Sequence, residues 1–353
     1  YCHKLPAPLH THLRYIRCAT SRSPMWDSPM VSGVAFRPRR CPPRSNLSSS
    51  GAGWIDSTVP VSQGVELAYR LYISTPLSRF SPAEDGEKAC VLLYFHANAE
   101  LCTDIAVDAA EFYDAGVHAI LAPEFRGFAW GTGTPALKHV CPDAEAVYEA
   151  LPGILQDAGL QDMKAIGAMV VHGRSLGAAC AVHLAQLEKN CFNALIVESG
   201  CLSLLDLPMV QQMGMMMPEM LQALRRQPEP LGTMAKLRDV SIMTLFLHGD
   251  RDEVVPVRQA VSGKEVCGSS AKRLVRYARC GHNDLRYSVG LSFYRELRLT
   301  VDFAMGRLTM EEIEAQRESA DNNAVLRFLV GMVRCIPGVR RCIQDQDDRP
   351  LMQ

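Results

Sequence analysis

The chain has 353 residues, long for one ordinary domain, with 48% hydrophobic residues, 21% charged residues and a formal net charge of −1. These figures exclude a disordered or fibrous body, and no window reaches the roughly 18 consecutive apolar residues of a membrane-spanning helix. The near-neutral total conceals a split: residues 1–53 carry eight Lys and Arg against Asp27 alone, a local +7, so the rest of the chain holds −8. An acidic body lacks the clustered Lys and Arg that phosphate neutralisation needs, which argues against nucleic acid as a partner. The 13 cysteines form no C-x-x-C pair and no Cys/His cluster at zinc-site spacing. They read as reduced thiols packed as small apolar residues, which implies an intracellular, cytoplasmic protein.

Residues 1–53 contain eight Ser and seven Pro, show no periodicity and close in Ser48-Ser49-Ser50-Gly51-Ala52-Gly53. They read as a disordered basic leader, and their Arg- and Ser-rich, acid-poor composition is also that of an organelle-targeting segment. From residue 54 short apolar runs alternate with helix-like stretches. Val59–Val61 and Val65–Ile73 flank Gln63-Gly64, an opening hairpin. Buried strands are expected at Cys90–Phe95, Val117–Ala122, Ala168–Val171, Ala194–Val197, Ile242–Leu247 and Leu274–Ala278. Between two of them, Asp143–Leu155 shows a helical face at Val147, Ala150, Leu151, Ile154 and Leu155, with Pro152 expected to kink or split the helix. Strands apolar along their whole length, alternating with helices, imply α/β class: a three-layer sandwich with a mostly parallel sheet and helices on both faces.

Residues 201–240 interrupt the alternation with seven of the sixteen methionines, either a packed connection or a short Met-rich lid that adapts to apolar groups. The last core helix is expected from Leu285 to about Gly306, which sets the body at 54–306. Residues 307–353 form a C-terminal helical extension of unknown role: an acidic helix at Met310–Glu318, then Val325–Ile343. That last stretch mixes apolar residues with Arg327, Arg334, Arg340 and Arg341, so it either packs on the domain or makes peripheral membrane contact.

The strand ending at Val171 runs into His172-Gly173-Arg174-Ser175-Leu176-Gly177 and then the small-residue helix Ala178–Leu187, a G-x-S-x-G in strand–turn–helix context. A serine hydroxyl becomes a good nucleophile when an imidazole takes its proton and a carboxylate fixes that imidazole's tautomer. In this architecture the chain order is Ser, acid, His. Downstream of Ser175, His183 lies inside the following helix and His248 precedes the acid loop, which leaves His282 in Cys280-Gly281-His282-Asn283-Asp284. For the acid, Asp250, Asp252 and Glu253 compete in the loop after Ile242–Leu247, and Glu198 ends the preceding strand. Spacing alone does not separate them, and the acids not used are expected in solvent or paired with Arg251. One oxyanion donor is the main-chain N–H of Leu176. The second belongs to His96-Ala97-Asn98-Ala99-Glu100.

These motifs, with Phe95–Ala99 (F-H-A-N-A) and Pro123–Phe128 (P-E-F-R-G-F), resemble the α/β-hydrolase superfamily of serine hydrolases. More narrowly they are similar to the small H-G-N-A type, a group that includes depalmitoylating thioesterases, membrane-lipid esterases and serine-aminopeptidase-like domains. The resemblance spans roughly residues 59–305. It implies the α/β-hydrolase fold, a triad of Ser175, Asp252 and His282, and a second oxyanion donor at the Asn98 N–H, with Ala97 standing where the family has Gly. It further implies a small-molecule or acyl substrate, cleavage of a carboxylic ester or thioester through an acyl-enzyme, and no metal or organic cofactor. The alternatives are a catalytically inactive hydrolase-fold binding protein and an aminopeptidase-type amide hydrolase.

Overall fold

The structure is a computed structural model, and it describes residues 25–49, 51–188 and 190–319. The chain divides into two compact units, residues 1–305 and 306–353. The first contains nine strands: β1 (Asn46–Leu47), β2 (Gly53–Ser62), β3 (Val65–Ile73), β4 (Ala89–Phe95), β5 (Ala119–Pro123), β6 (Ile166–Arg174), β7 (Ala194–Glu198), β8 (Met243–Gly249) and β9 (Lys272–Tyr277). They form one sheet in the order β1-β2-β3-β5-β4-β6-β7-β8-β9. The four pairs from β4/β6 to β8/β9, and β4/β5, are parallel; β1, β2 and β3 join antiparallel at one side. The hairpin turns at Gln63-Gly64, where Gly64 takes a left-handed φ of 70°.

Ten helices accompany the sheet among the described residues of this unit: α1 (Pro29–Ala35), α2 (Ala109–Asp114), α3 (Leu137–Asp157), α4 (Gly177–Leu187), α5 (Pro208–Met216), α6 (Pro218–Arg225), α7 (Thr233–Lys236), α8 (Arg258–Val266), α9 (Leu285–Val289) and α10 (Leu291–Ala304). Alternation along the parallel strands explains the layers. Val91, Leu93 and Phe95 of β4, Val171 of β6 and Leu195 and Val197 of β7 share one apolar cluster with Ala178, Ala181, Val182 and Leu184 of α4. The intervening Leu92, Tyr94, Val170 and Ile196 are equally buried but belong to the opposite face. There α10, whose Phe293, Leu297 and Val301 are buried, packs on β6 and β7. The expected three-layer α/β arrangement is thus observed.

Three local expectations change. Helix α3 is continuous for 21 residues through Pro142 and Pro152, so Pro152 does not split it. Each interior proline costs about 3 kcal/mol, but Val140, Ala144, Val147, Leu151, Ile154 and Leu155 are all buried along one face, and burial of that stripe prevails. The single helix expected after Leu285 is two, because Gly290 adopts φ 50°, ψ −123° between α9 and α10. The leader is not a disordered tail where it is described. Ser28 caps α1 by accepting from the Val31 N–H, Trp26 and Phe36 are buried, and β1 pairs with β2 through Asn46↔Trp54 and Leu47↔Gly53. Its anchors are two isolated aromatics and main-chain hydrogen bonds, which carry no periodic signal. Residues 1–24 and the expected basic segment Val325–Ile343 lie outside the described residues.

The Met-rich stretch forms α5 and α6. Met220 and Met234 pack against the core, whereas Met209, Met215, Met216 and Met217 are exposed. In the second unit, residues 310–319 are helical. Thr309 and Glu312 cap that helix reciprocally, each side chain accepting the other's main-chain N–H. Among the described residues no helix is long and apolar enough to cross a membrane.

Candidate active site

Every candidate residue lies at the carboxyl ends of the parallel strands, where an open α/β sheet forms its crevice. Ser175 sits between β6 and α4 with φ 53°, a left-handed conformation unfavourable for a side-chain-bearing residue. The flanking glycines make this turn feasible by letting backbones touch. A Cβ on Gly173 would lie 2.5 Å from Ala178 Cα, and one on Gly177 would lie 2.2 Å from the Phe95 carbonyl oxygen. Two main-chain bonds fasten the turn to the end of β7: Ser175 N–H donates to Glu198 O at 2.9 Å, and Cys201 N–H donates to Ser175 O at 3.0 Å.

His282 Nε2 is 3.0 Å from Ser175 Oγ, and His282 Nδ1 is 2.7 Å from Asp252 Oδ2. All three side chains are nearly buried. Asp252 Oδ1 accepts the main-chain N–H groups of Val254 and Val255 at 3.0 and 2.7 Å, and His248 Nε2 stands 3.3 Å from Oδ2. Burial alone would raise this carboxyl. The hydrogen bonds from His248 and His282 outweigh it and hold Asp252 well below the usual carboxylate range. The acid loop and the histidine loop meet because residue 249 is glycine: a Cβ there would lie 2.3 Å from the Cys280 carbonyl oxygen, and Arg251 N–H bonds that same oxygen at 2.9 Å.

The other acids are occupied elsewhere. Asp250 pairs with Arg276 at 2.7 Å rather than with Arg251, and Glu253 is exposed. Glu198 is fully buried, 2.9 Å from His172 Nε2, 3.3 Å from Arg174 and 2.6 Å from Arg286. Burial would raise its carboxyl, but Arg286 first, then His172 and Arg174, hold it well below the usual range. Of the acids that spacing left open as partners of His282, Asp252 bonds the ring, and neither Glu198 nor Asp250 does. His183, within α4, is bonded to Glu145 of α3 at 2.6 Å.

Leu176, the residue after Ser175, is the N-cap of α4 in a helical conformation. The loop 96–102 faces it from the end of β4. Glu124 holds both ends of this loop, with one oxygen 2.9 Å from His96 Nε2 and the other accepting the Cys102 N–H at 2.6 Å. Burial favours a neutral His96, yet the Glu124 charge outweighs it and raises the imidazole above its ordinary value. Ala97 needs no glycine, since the left-handed residue of the loop is Ala99, with φ 69°.

Sequence reasoning missed the arginines that join these loops. Arg174, the variable residue of G-x-S-x-G, ion-pairs with Glu100 of the loop 96–102 and with Glu198, and donates to the His282 carbonyl at 3.0 Å. Arg286 lies among Tyr94, Phe112 and Phe293, each ring centroid 5.3–5.4 Å from its guanidinium carbon, and pairs with Glu198 and Asp108. The one available signal was an excess of Arg and Glu at strand ends.

No protein-family profile matches the chain. It is similar to protein bem46 of Schizosaccharomyces pombe, 29% identical over 222 residues covering 62% of this chain and 70% of that protein. The α/β-hydrolase domain-containing protein aho-3 of Caenorhabditis elegans is 24% identical over 301 residues, 81% of each chain. Among solved structures, an esterase of Pyrococcus furiosus superposes with a TM-score of 0.55 at 12% identity, covering 76% of this chain and all of its own. Together with the strand order and the placement of the site, these likenesses make the chain a protein of the α/β-hydrolase fold.

Proposed function

We propose that the protein is a serine hydrolase that cleaves a carboxylic ester or thioester through an acyl-enzyme. The observation that carries this reading is the continuous hydrogen-bonded line from Ser175 Oγ through His282 to Asp252, at 3.0 and 2.7 Å. In this reading the His282 ring, with its proton on Nδ1 facing Asp252, takes the Ser175 proton at Nε2 as Oγ attacks the acyl carbonyl. Asp252 stabilises the imidazolium that forms. The main-chain N–H groups of Leu176 and Asn98 receive the oxyanion. His282 then protonates the departing alcohol or thiol, and water, activated by the same ring, releases the acid. The nucleophile, the base and the oxyanion donors of this sequence are all residues of the chain.

The substrate assigned here is a small acyl compound, in keeping with the esterase activity named for the Pyrococcus structure. The scatter of the 13 cysteines, with no C-x-x-C pair, is in keeping with the reducing, intracellular setting expected from the sequence. A fluorophosphonate probe tests the assignment. Wild type should label and Ser175→Ala should not; equal labelling of the two overturns the nucleophile.

A further inference from the structure

Asn98 carries one of the two main-chain donors assigned above, and its side chain is engaged on the other side of the loop. Its Nδ2 donates to the Ala35 carbonyl at 2.8 Å, and its Oδ1 accepts the Arg37 N–H at 2.9 Å. Both ends of the amide are therefore spent on the main chain either side of Phe36. Phe36 is itself buried, edge-on to Phe125 at 6.0 Å. The contact continues along the leader. Arg39 donates to the Ala99 carbonyl at 3.1 Å and pairs with Asp104 at 2.6 Å, and its own carbonyl accepts the Ala129 N–H at 2.8 Å. Arg40 donates to the carbonyls of Gly127 and Gly131 at 3.1 and 2.6 Å.

We propose that residues 35–40 of the basic leader are a positioning element of the active site, holding the loop that carries the Asn98 N–H through a clamp on the Asn98 amide. This rests on the oxyanion assignment above. The physical reason is that the loop contains a strained position. Ala99 occupies a left-handed conformation that a residue with a Cβ keeps only when its surroundings impose it. Glu124 and the Glu100–Arg174 pair restrain the loop on the side of the sheet. The leader supplies the restraint on the opposite side, at the residue whose N–H must point at the developing charge. Oxyanion donors act by being fixed before the reaction, and a displacement of about 1 Å costs on the order of 100-fold in rate. Arg39 and Arg40 thus bind carbonyl oxygens of the catalytic domain, a use distinct from targeting.

The test uses the full chain and a p-nitrophenyl ester. Asn98→Ala keeps the main-chain N–H and deletes the clamp; an Arg39→Ala/Arg40→Ala double variant loosens the strap and leaves the loop's own residues in place. Active sites are counted by end-point fluorophosphonate labelling. Per titrated site, Asn98→Ala should lower kcat about 10- to 100-fold with KM changed less than about threefold, and should slow labelling in parallel. The double variant should move kcat in the same direction, and the combination should lose less than the product of the two. A kcat per titrated site within twofold of wild type for Asn98→Ala overturns the proposal. So does a loss fully explained by fewer titratable sites, the mark of a merely structural contact. Absence of Ser175-dependent turnover in wild type would overturn the hydrolase reading itself, and this one with it.

Discussion

Replacing Asp252 by Asn keeps the side chain's shape and turns one of its acceptors into a donor. Oδ1 accepts two main-chain N–H groups, from Val254 and Val255. The new amide nitrogen cannot face them without setting donor against donor, so it takes the Oδ2 position, 2.7 Å from His282 Nδ1. There it donates, Nδ1 must accept, and the ring proton moves to Nε2, 3.0 Å from Ser175 Oγ. A ring protonated on that side has no lone pair for the serine proton. Turnover should fall about 10³- to 10⁴-fold, ~4–5.5 kcal/mol at about 1.36 kcal/mol per decade. Asp250 has the same chemistry two residues away, but its partner is Arg276, half-exposed. Asp250→Asn should change turnover by less than about twofold. Steady-state hydrolysis of a p-nitrophenyl ester by the two full-length variants, with circular dichroism to establish folding, makes the comparison. If folded Asp252→Asn keeps more than a tenth of wild-type turnover, or Asp250→Asn loses as much, the assignment of the acid is wrong.

Two further outcomes concern stability. Ser175 holds φ 53°, so Ser175→Gly should be more stable than Ser175→Ala by ~1 kcal/mol although both are inactive; equal urea midpoints would mean that the turn stores no strain. His172 is buried against Glu198 and its pKa is lowered from 6.5, first by burial, so the folded state resists a proton that the unfolded chain accepts. Its contribution is therefore present above pH 6.5 and lost as pH falls below it, by up to ~1.4 kcal/mol per pH unit. His172→Gln keeps a donor for Glu198 and cannot titrate. The stability of wild type minus that of this variant should drop on acidification from pH 7 to 5. A difference that stays flat, or grows, contradicts the assignment.

The parallel core was legible because full burial on both faces leaves continuous apolar runs; β4, β6 and β7 each contain the run expected there, and β8 all of its run but Ile242. Ser175 and His282 were legible for a different reason: the turn needs small residues at 173 and 177, and the order of elements leaves one histidine downstream of the acid loop. The acid was not separable by spacing, since Asp250 and Asp252 differ only in the direction the chain takes after Gly249. What stayed hidden was long-range pairing. Glu124 and Cys102, Arg174 and Glu100, Asn98 and Ala35 meet only once the sheet is assembled, and no local pattern of residue types marks them. Composition misled at the leader, where a Pro-, Ser- and Arg-rich stretch is fixed by Trp26, Phe36, its main chain and the side chains of Arg39 and Arg40.

The two-residue strand β1 has a bearing on how the protein can be handled. It covers part of the outer edge of β2, with Trp54 Nε1 donating to the Arg44 carbonyl at 2.6 Å and Asp56 accepting the Arg44 N–H at 2.7 Å. Trimming the chain at residue 54, where the composition changes, would strip that cover and bare the start of β2 at Trp54 and Asp56. Bared main-chain groups on an edge strand can pair with strands of other molecules. A boundary placed before Trp26 keeps β1 and the buried Trp26 in place.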